Sequence, residues 1–194
     1  MQKNENTEKD NSWNITYLKI AELMAEKSTC YRVHVGAILV KDGRIISTGY
    51  NGVPSGMKHC NEIFKENNEI DNSLKEYFSS DSNFFTVWNS LLSHDGSTKS
   101  TLRYSPEDWS KLHHNFSEKF EVHAEQNCLL YAAKNGVSTK DTTIYVTTSP
   151  CDQCLKLLVA AGVKKVYYHK RYDRLSENYY NNLKFPIEVV QVDF

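Results

Sequence analysis

The segments VHAEQNCLLYAAKNG (122–136), TTIYVTT (142–148) and SPCDQCLKLLVAAG (149–162) read as helix, strand and helix. Asn135-Gly136 closes the first helix and Gly162 the second, because glycine tolerates the left-handed turn that ends a helix. The β-branched and aromatic run between them suits a strand. Toward the C-terminus, KKVYYH (164–169) reads as a strand, LSENYYNNL (175–183) as a short helix and IEVVQV (187–192) as a last strand. Strands alternating with helices call for parallel pairing, with helices laid over the sheet. Toward the N-terminus, VGAILV (35–40), an Asp-Gly turn at 42–43 and RIISTGY (44–50) read as a β-hairpin, which makes the sheet mixed. The fold class is therefore α/β.

The outer segments are less ordered. Ile15, Leu18, Ala21, Leu23 and Ala25 suit an amphipathic helix before the hairpin. Residues 1–12 are polar and are expected to form a disordered tail, leaving 13–194 as a single domain. NGVPSG (51–56) is turn chemistry. Residues 61–120, rich in Asn, Ser, Lys and Glu with aromatic patches such as FFTVW (84–88), read as an insertion with some helix. One helix should start at SPEDW (105–109), with Ser105 as N-cap and Pro106 at the first helical position.

The bulk composition narrows the function. The chain has 194 residues, 40% hydrophobic and 24% charged, with a net charge of −1. That balance gives no basic face for nucleic acid. No apolar run reaches membrane-spanning length, and the polar start lacks the apolar stretch of a signal peptide, so a cytoplasmic protein is expected. Five cysteines, an odd number, argue against a disulfide framework.

Cys151 and Cys154 admit three readings: a redox pair, a metal site or two unrelated thiols. No thioredoxin-like context precedes them. A metal site needs further ligands, and His123 opens the preceding helix with one strand between. Two helix N-termini on one face of a sheet then bring His123, Cys151 and Cys154 together, and a helix N-terminus favours thiolate. Three protein ligands leave one tetrahedral position for water, as a catalytic zinc requires. Glu125, two residues past the histidine, is not needed as a ligand and can carry protons. This H-x-E…P-C-x-x-C pattern is the general signature of zinc nucleobase deaminases. The alternative is a buried cysteine pair beside a surface His and Glu.

With VGA (35–37), IISTGYNGVPSG (45–56), HAE (123–125), SPCDQC (149–154) and AGVKKVYYHKRYD (161–173), the sequence resembles the deoxycytidylate (dCMP) deaminases, particularly the phage and bacterial branch, over most of 14–194. The resemblance implies a cytidine deaminase-like α/β/α sandwich on a five-stranded sheet. It also implies zinc-dependent hydrolysis of dCMP to dUMP, with Glu125 moving protons between water, N3 and the departing ammonia. Asn51, Ala124, Ser149 and Tyr172 would then line the nucleotide site. Arg32, and the basic run His169-Lys170-Arg171, could meet the 5′-phosphate; a solvated surface charge is the alternative for each.

The resemblance further implies a second, structural zinc held by Cys30, Cys60, His113 and Glu121. His59 and His114 compete for the histidine role, and two buried free cysteines beside surface histidines are the alternative. Such a site would tie the insertion to the core at both ends. Cys128 reads as a small core residue. The resemblance also implies a homohexamer, activated by dCTP with Mg²⁺ and inhibited by dTTP, with Gly49, Tyr50, Asn51 and Gly52 at the effector site. A tRNA adenosine deaminase is disfavoured by SPC in place of EPC, and a free cytidine deaminase by HAE in place of CAE. A dCTP or 5-substituted dCMP deaminase stays open, as does an inactive zinc-stabilised scaffold or DNA-uptake factor.

Overall fold

The computed structural model describes residues 2–78, 101–172, 180 and 185–194. The chain forms two compact units, one from Met1–Ser28, Val33–Gly52 and Val122–Phe194, the other from Thr29–Arg32 and Val53–Glu121.

The first unit is built on a mixed five-stranded sheet. Its strands are β1 (Gly36–Lys41), β2 (Arg44–Tyr50), β5 (Thr143–Thr148), β6 (Lys165–Lys170) and β7 (Glu188–Gln191), in the order β2-β1-β5-β6-β7. β1 pairs antiparallel with β2 and β5, while β5–β6 and β6–β7 are parallel. The two-residue alternation of strands sorts their side chains between two apolar layers. Ile38, Val40 and Tyr145 pack with Tyr17, Leu18 and Ala21 of α1 (Gln2–Ala25). Ala37, Leu39, Ile144, Val146 and Val166 pack instead with Ala124, Cys128 and Ala132 of α5 (Ala124–Lys134) and with Leu155 and Leu158 of α6 (Asp152–Ala160). The result is helix, sheet, helix, the sandwich expected from the sequence.

Two glycines set how closely the helices approach. A Cβ on Gly36 would collide with the backbone of α1 at Ala21 O and Ala25 N. A Cβ on Gly49 would collide with α5 at Ala124 O and Cys128 N. Only glycine allows backbone to lie against backbone there. Polar ties add direction: the Tyr17 hydroxyl donates to Gly43 O at 2.9 Å, and that of Tyr145 to Asn14 Oδ1 at 2.8 Å.

The second unit has its own core. Ile63, Phe64, Ile70, Leu74, Phe78, Trp109, Leu112 and Phe116 are buried together with Cys30 and Cys60. Apart from Cys30, they come from or directly follow α2 (Cys60–Ile63), β3 (Glu69–Asp71), α3 (Leu74–Tyr77) and α4 (Pro106–Phe120), and β3 pairs antiparallel with β4 (Thr101–Arg103). Ser105 caps α4, its hydroxyl accepting from Asp108 N at 3.1 Å, with Pro106 as the first helical residue, as expected.

The structure departs from the sequence reading in two places. α1 begins at Gln2, within the 1–12 stretch expected to be a disordered tail. That stretch mixes Met, Gln, Glu and Lys, which lose little freedom in a helix, with Asn, Asp, Ser and Thr, which favour turns and tails. The segment read as an insertion in a single domain is part of a compact unit with an aromatic core, which its polar average composition concealed. The FFTVW patch and, apart from Tyr180, the helix expected at 175–183 lie outside the described residues.

Gly36→Ala is expected to destabilise the protein by about 1–3 kcal/mol, the usual cost of overpacking a filled site, because no rotamer relieves a clash with backbone. A lowered urea midpoint at unchanged denaturant slope would register it; an unchanged midpoint would contradict the packing described for α1.

Candidate metal centres and active site

α5 and α6 begin beside one another because β5 lies between them in the chain and both helices cover the same face. Cys151 is the N-cap of α6 and His123 that of α5, both with extended backbone. Gln126 Oε1 accepts from His123 N at 3.1 Å and fixes the start of α5. His123 Nδ1 lies 3.7 Å from Cys151 Sγ and 3.3 Å from Cys154 Sγ. In the second unit, His113 Nε2 lies 3.8 Å from Cys30 Sγ and 3.3 Å from Cys60 Sγ. Each trio places its three donor atoms within 4.8 Å of one another.

These separations fit zinc. Ligands at about 2.3 Å for sulfur and about 2.0 Å for nitrogen, meeting at a tetrahedral angle, stand about 3.5 Å apart. Two sulfurs also converge on one imidazole nitrogen in each trio, and a single N–H or lone pair serves two sulfurs poorly. An ion between them satisfies all three. The second cluster has a further mark. Glu121 is buried, its Oε1 is without a hydrogen-bond partner, and its carboxyl interacts with Cys30 and Cys60. A carboxylate oxygen is chemically suited to ligate beside two thiols, and Glu121 is the acidic group that interacts with both.

The electrostatics agree. A hydrogen bond from Cys154, aided by His123, pulls the Cys151 thiol down to about 4, while the same bond to Cys151, together with burial, pushes Cys154 up. The pair thus favours one thiolate, on Cys151, and an ion's charge would stabilise the second. Burial and Cys30 push Glu121 up to about 7. Burial raises Glu125, only 4% exposed, opposed chiefly by the positive end of His123. A carboxyl that keeps a proton more readily than usual suits a group that must accept one and release it. Cys128 is a core thiol pushed up to about 12 by burial, as the sequence suggested.

The other expected residues have the following partners. Asn51 is buried; its Oδ1 accepts from Val35 N and its Nδ2 donates to Val33 O, both at 2.8 Å. Ser149 is buried and its Oγ accepts from Tyr172 N at 2.8 Å, which leaves the hydroxyl able to donate. Ala124 is fully buried at the first turn of α5. Arg32 belongs to the second unit, with Nη1 donating to Ser110 Oγ at 3.0 Å. His114 is not in either trio and pairs with Glu118 at 3.2 Å.

Sequence reasoning missed what holds α5. Tyr50 O accepts from Asn127 Nδ2 at 2.7 Å, and Gly52 bridges Val122 by paired backbone bonds of 3.2 and 2.9 Å. With Gly49 packed on α5, the GYNG segment grips the helix that carries His123 and Glu125. It also missed Ser117, whose Oγ hydrogen-bonds Glu121 Oε2. The signal for it is the spacing of His113, Ser117 and Glu121, each four residues from the next.

A family model, the cytidine and deoxycytidylate deaminase zinc-binding region, matches residues 11–170. The chain belongs to the cytidine and deoxycytidylate deaminase family. It is 38% identical over 160 residues to the deoxycytidylate deaminase of enterobacteria phage T4, covering 82% of this chain and 78% of that one. ComE operon protein 2 of Bacillus subtilis is 29% identical over 184 residues, covering 94% and 73%. The dCMP deaminase of cyanophage S-TIM5, solved in complex with dCMP and dUMP, superposes with a TM-score of 0.58 at 31% identity, covering 91% of this chain and 94% of that one. This family's zinc-binding chemistry matches the donor sets above. Among the described residues, no helix is long and apolar enough to cross a membrane.

In metal-stripped protein, iodoacetamide at pH 6 should label Cys151 and spare Cys128. A thiol at about 4 is already thiolate at that pH, and one at about 12 is not. Mass spectrometry of the digest reads this; equal labelling of both would contradict the assigned thiolate.

Proposed function

We propose that this chain catalyses the hydrolytic deamination of dCMP to dUMP and ammonia. The observation that carries the reading is a buried carboxylate, Glu125, two residues from a three-ligand His–Cys–Cys set that leaves one coordination position open. Relatives named deoxycytidylate deaminase support the choice of nucleotide. A zinc ion held by His123, Cys151 and Cys154 supplies Lewis acidity that brings the pKa of water near neutrality.

The residues of the chain do the rest. Glu125 takes the proton of the attacking water, delivers it to N3 of cytosine, and carries the next to the amino group that leaves as ammonia. Its burial excludes bulk water from this relay and strengthens its contacts with substrate. Ser149, with its hydroxyl hydrogen still to donate, and the first turn of α5 at Ala124 offer polar contacts to the base edge. Asn51 and Tyr172 line the sugar side.

Cys30, Cys60, His113 and Glu121 hold a second zinc that orders the second unit and takes no part in the chemistry. Regulation is proposed through Gly49–Gly52: dCTP with Mg²⁺ activates and dTTP inhibits, in a homohexamer located in the cytoplasm. Support for this segment as the route is its grip on α5 through Gly49, Tyr50 O and Gly52. Similarity to a ComE operon protein keeps an inactive zinc-stabilised scaffold as the second reading.

Glu125→Ala should leave zinc content unchanged and lower kcat for dCMP by about 10²- to 10⁴-fold or more, followed by ultraviolet absorbance. Undiminished turnover would refute the role of Glu125, and no turnover by the zinc-loaded wild type on dCMP would favour the scaffold. dCTP with Mg²⁺ should lower the dCMP concentration at half-saturation and dTTP should raise it; a response to neither removes the regulatory reading.

A further inference from the structure

The second metal cluster poses a selection problem. A glutamate side chain has two oxygens, and a closed tetrahedral site beside two cysteines and a histidine needs one of them. The structure distinguishes the two. Oε2 of Glu121 is engaged by the hydroxyl of Ser117, while Oε1 is buried with no partner.

We infer that Ser117 is the positioning residue of the second metal cluster, its hydroxyl holding Glu121 Oε2 so that Oε1 is presented as the fourth ligand. The inference rests on the reading of Cys30, Cys60, His113 and Glu121 as a zinc site. His113 and Ser117 lie on α4 and Glu121 is its C-cap. Residues four apart share one face of a helix, so ligand, orienter and ligand fall in one row.

The location makes an orienting bond necessary. Glu121 sits at the C-terminal end of α4, where the helix dipole repels a carboxylate. Among the described residues, no ion pair involves it. Its own N–H donates to Ser117 O at 3.0 Å, so Ser117 holds this residue by backbone and side chain together. The opposite ligand is held by packing instead: the His113 ring stacks on Trp109 at 5.3 Å and 19°, with Phe64 edge-on at 4.9 Å. A ligating carboxylate steered by a hydrogen bond to its other oxygen is a common outer-shell arrangement, and losing such a bond typically costs about 10- to 100-fold in metal affinity.

The test is competition of zinc-loaded protein against a chromophoric chelator, with the cobalt-substituted protein read by visible absorption. Wild type should hold two ions, and Cys60→Ser should lose one. Ser117→Ala should still hold two but release one at about 10- to 100-fold lower chelator activity, with a changed cobalt spectrum. Ser117→Thr, which keeps the hydroxyl, should restore both. Wild type holding one ion, or Cys60→Ser holding as many as wild type, refutes the second zinc site itself. Two ions in wild type together with unchanged affinity and cobalt spectrum in Ser117→Ala overturns the positioning role alone. Should Cys60→Ser fail to fold, wild-type stoichiometry serves as that check.

Discussion

His123 Nδ1 stands 3.7 and 3.3 Å from the sulfurs of Cys151 and Cys154, and the first unit is arranged so that these three atoms stay together. They belong to two helix starts separated by one strand. A parallel sheet returns the chain to the same edge after each helix, so both N-termini arrive at one place. The helix ends also offer partial positive charge, which favours the thiolate that ligation needs. The site is thus a consequence of topology first and of residue identity second.

Holding the helices at the right height is the task of residues with no chemistry of their own. Gly49 lets α5 lie on β2, Gly36 lets α1 lie on β1, and the Gly52–Val122 bridge pins the residue before His123. Asn51 commits its side-chain amide to Val33 and Val35. The segment GYNG therefore has a structural purpose that stands whether or not it also takes a nucleotide. Any ligand bound there would act on α5 through contacts already in place, which is the physical content of the regulatory proposal.

Much of this arrangement is legible in the amino-acid sequence. Alternation of strand and helix implies the sheet, and the spacings in HAE and PCDQC assemble the first trio because each spans a single helix start. The members of the second trio are far apart in sequence, at 30, 60 and 113, so only resemblance to a family brings them together. The core of the second unit is hidden because Phe64, Ile70 and Leu74 are scattered over short elements with no sustained period, and only α4 repeats its buried residues at helical spacing. The start of α1 is hidden because a polar helix shows no apolar stripe. Ser117 stands midway between His113 and Glu121, but an orienting hydroxyl has no meaning until the ligand it orients is known.

The central claim is that both trios are zinc sites with two sulfur ligands each. Extended X-ray absorption fine structure at the zinc edge of the purified protein tests it most directly, because both sites should give the same average shell. The account predicts about two sulfurs per zinc near 2.3 Å and about two nitrogen or oxygen atoms near 2.0 Å. A shell of nitrogen and oxygen alone, or one of four sulfurs, would contradict it.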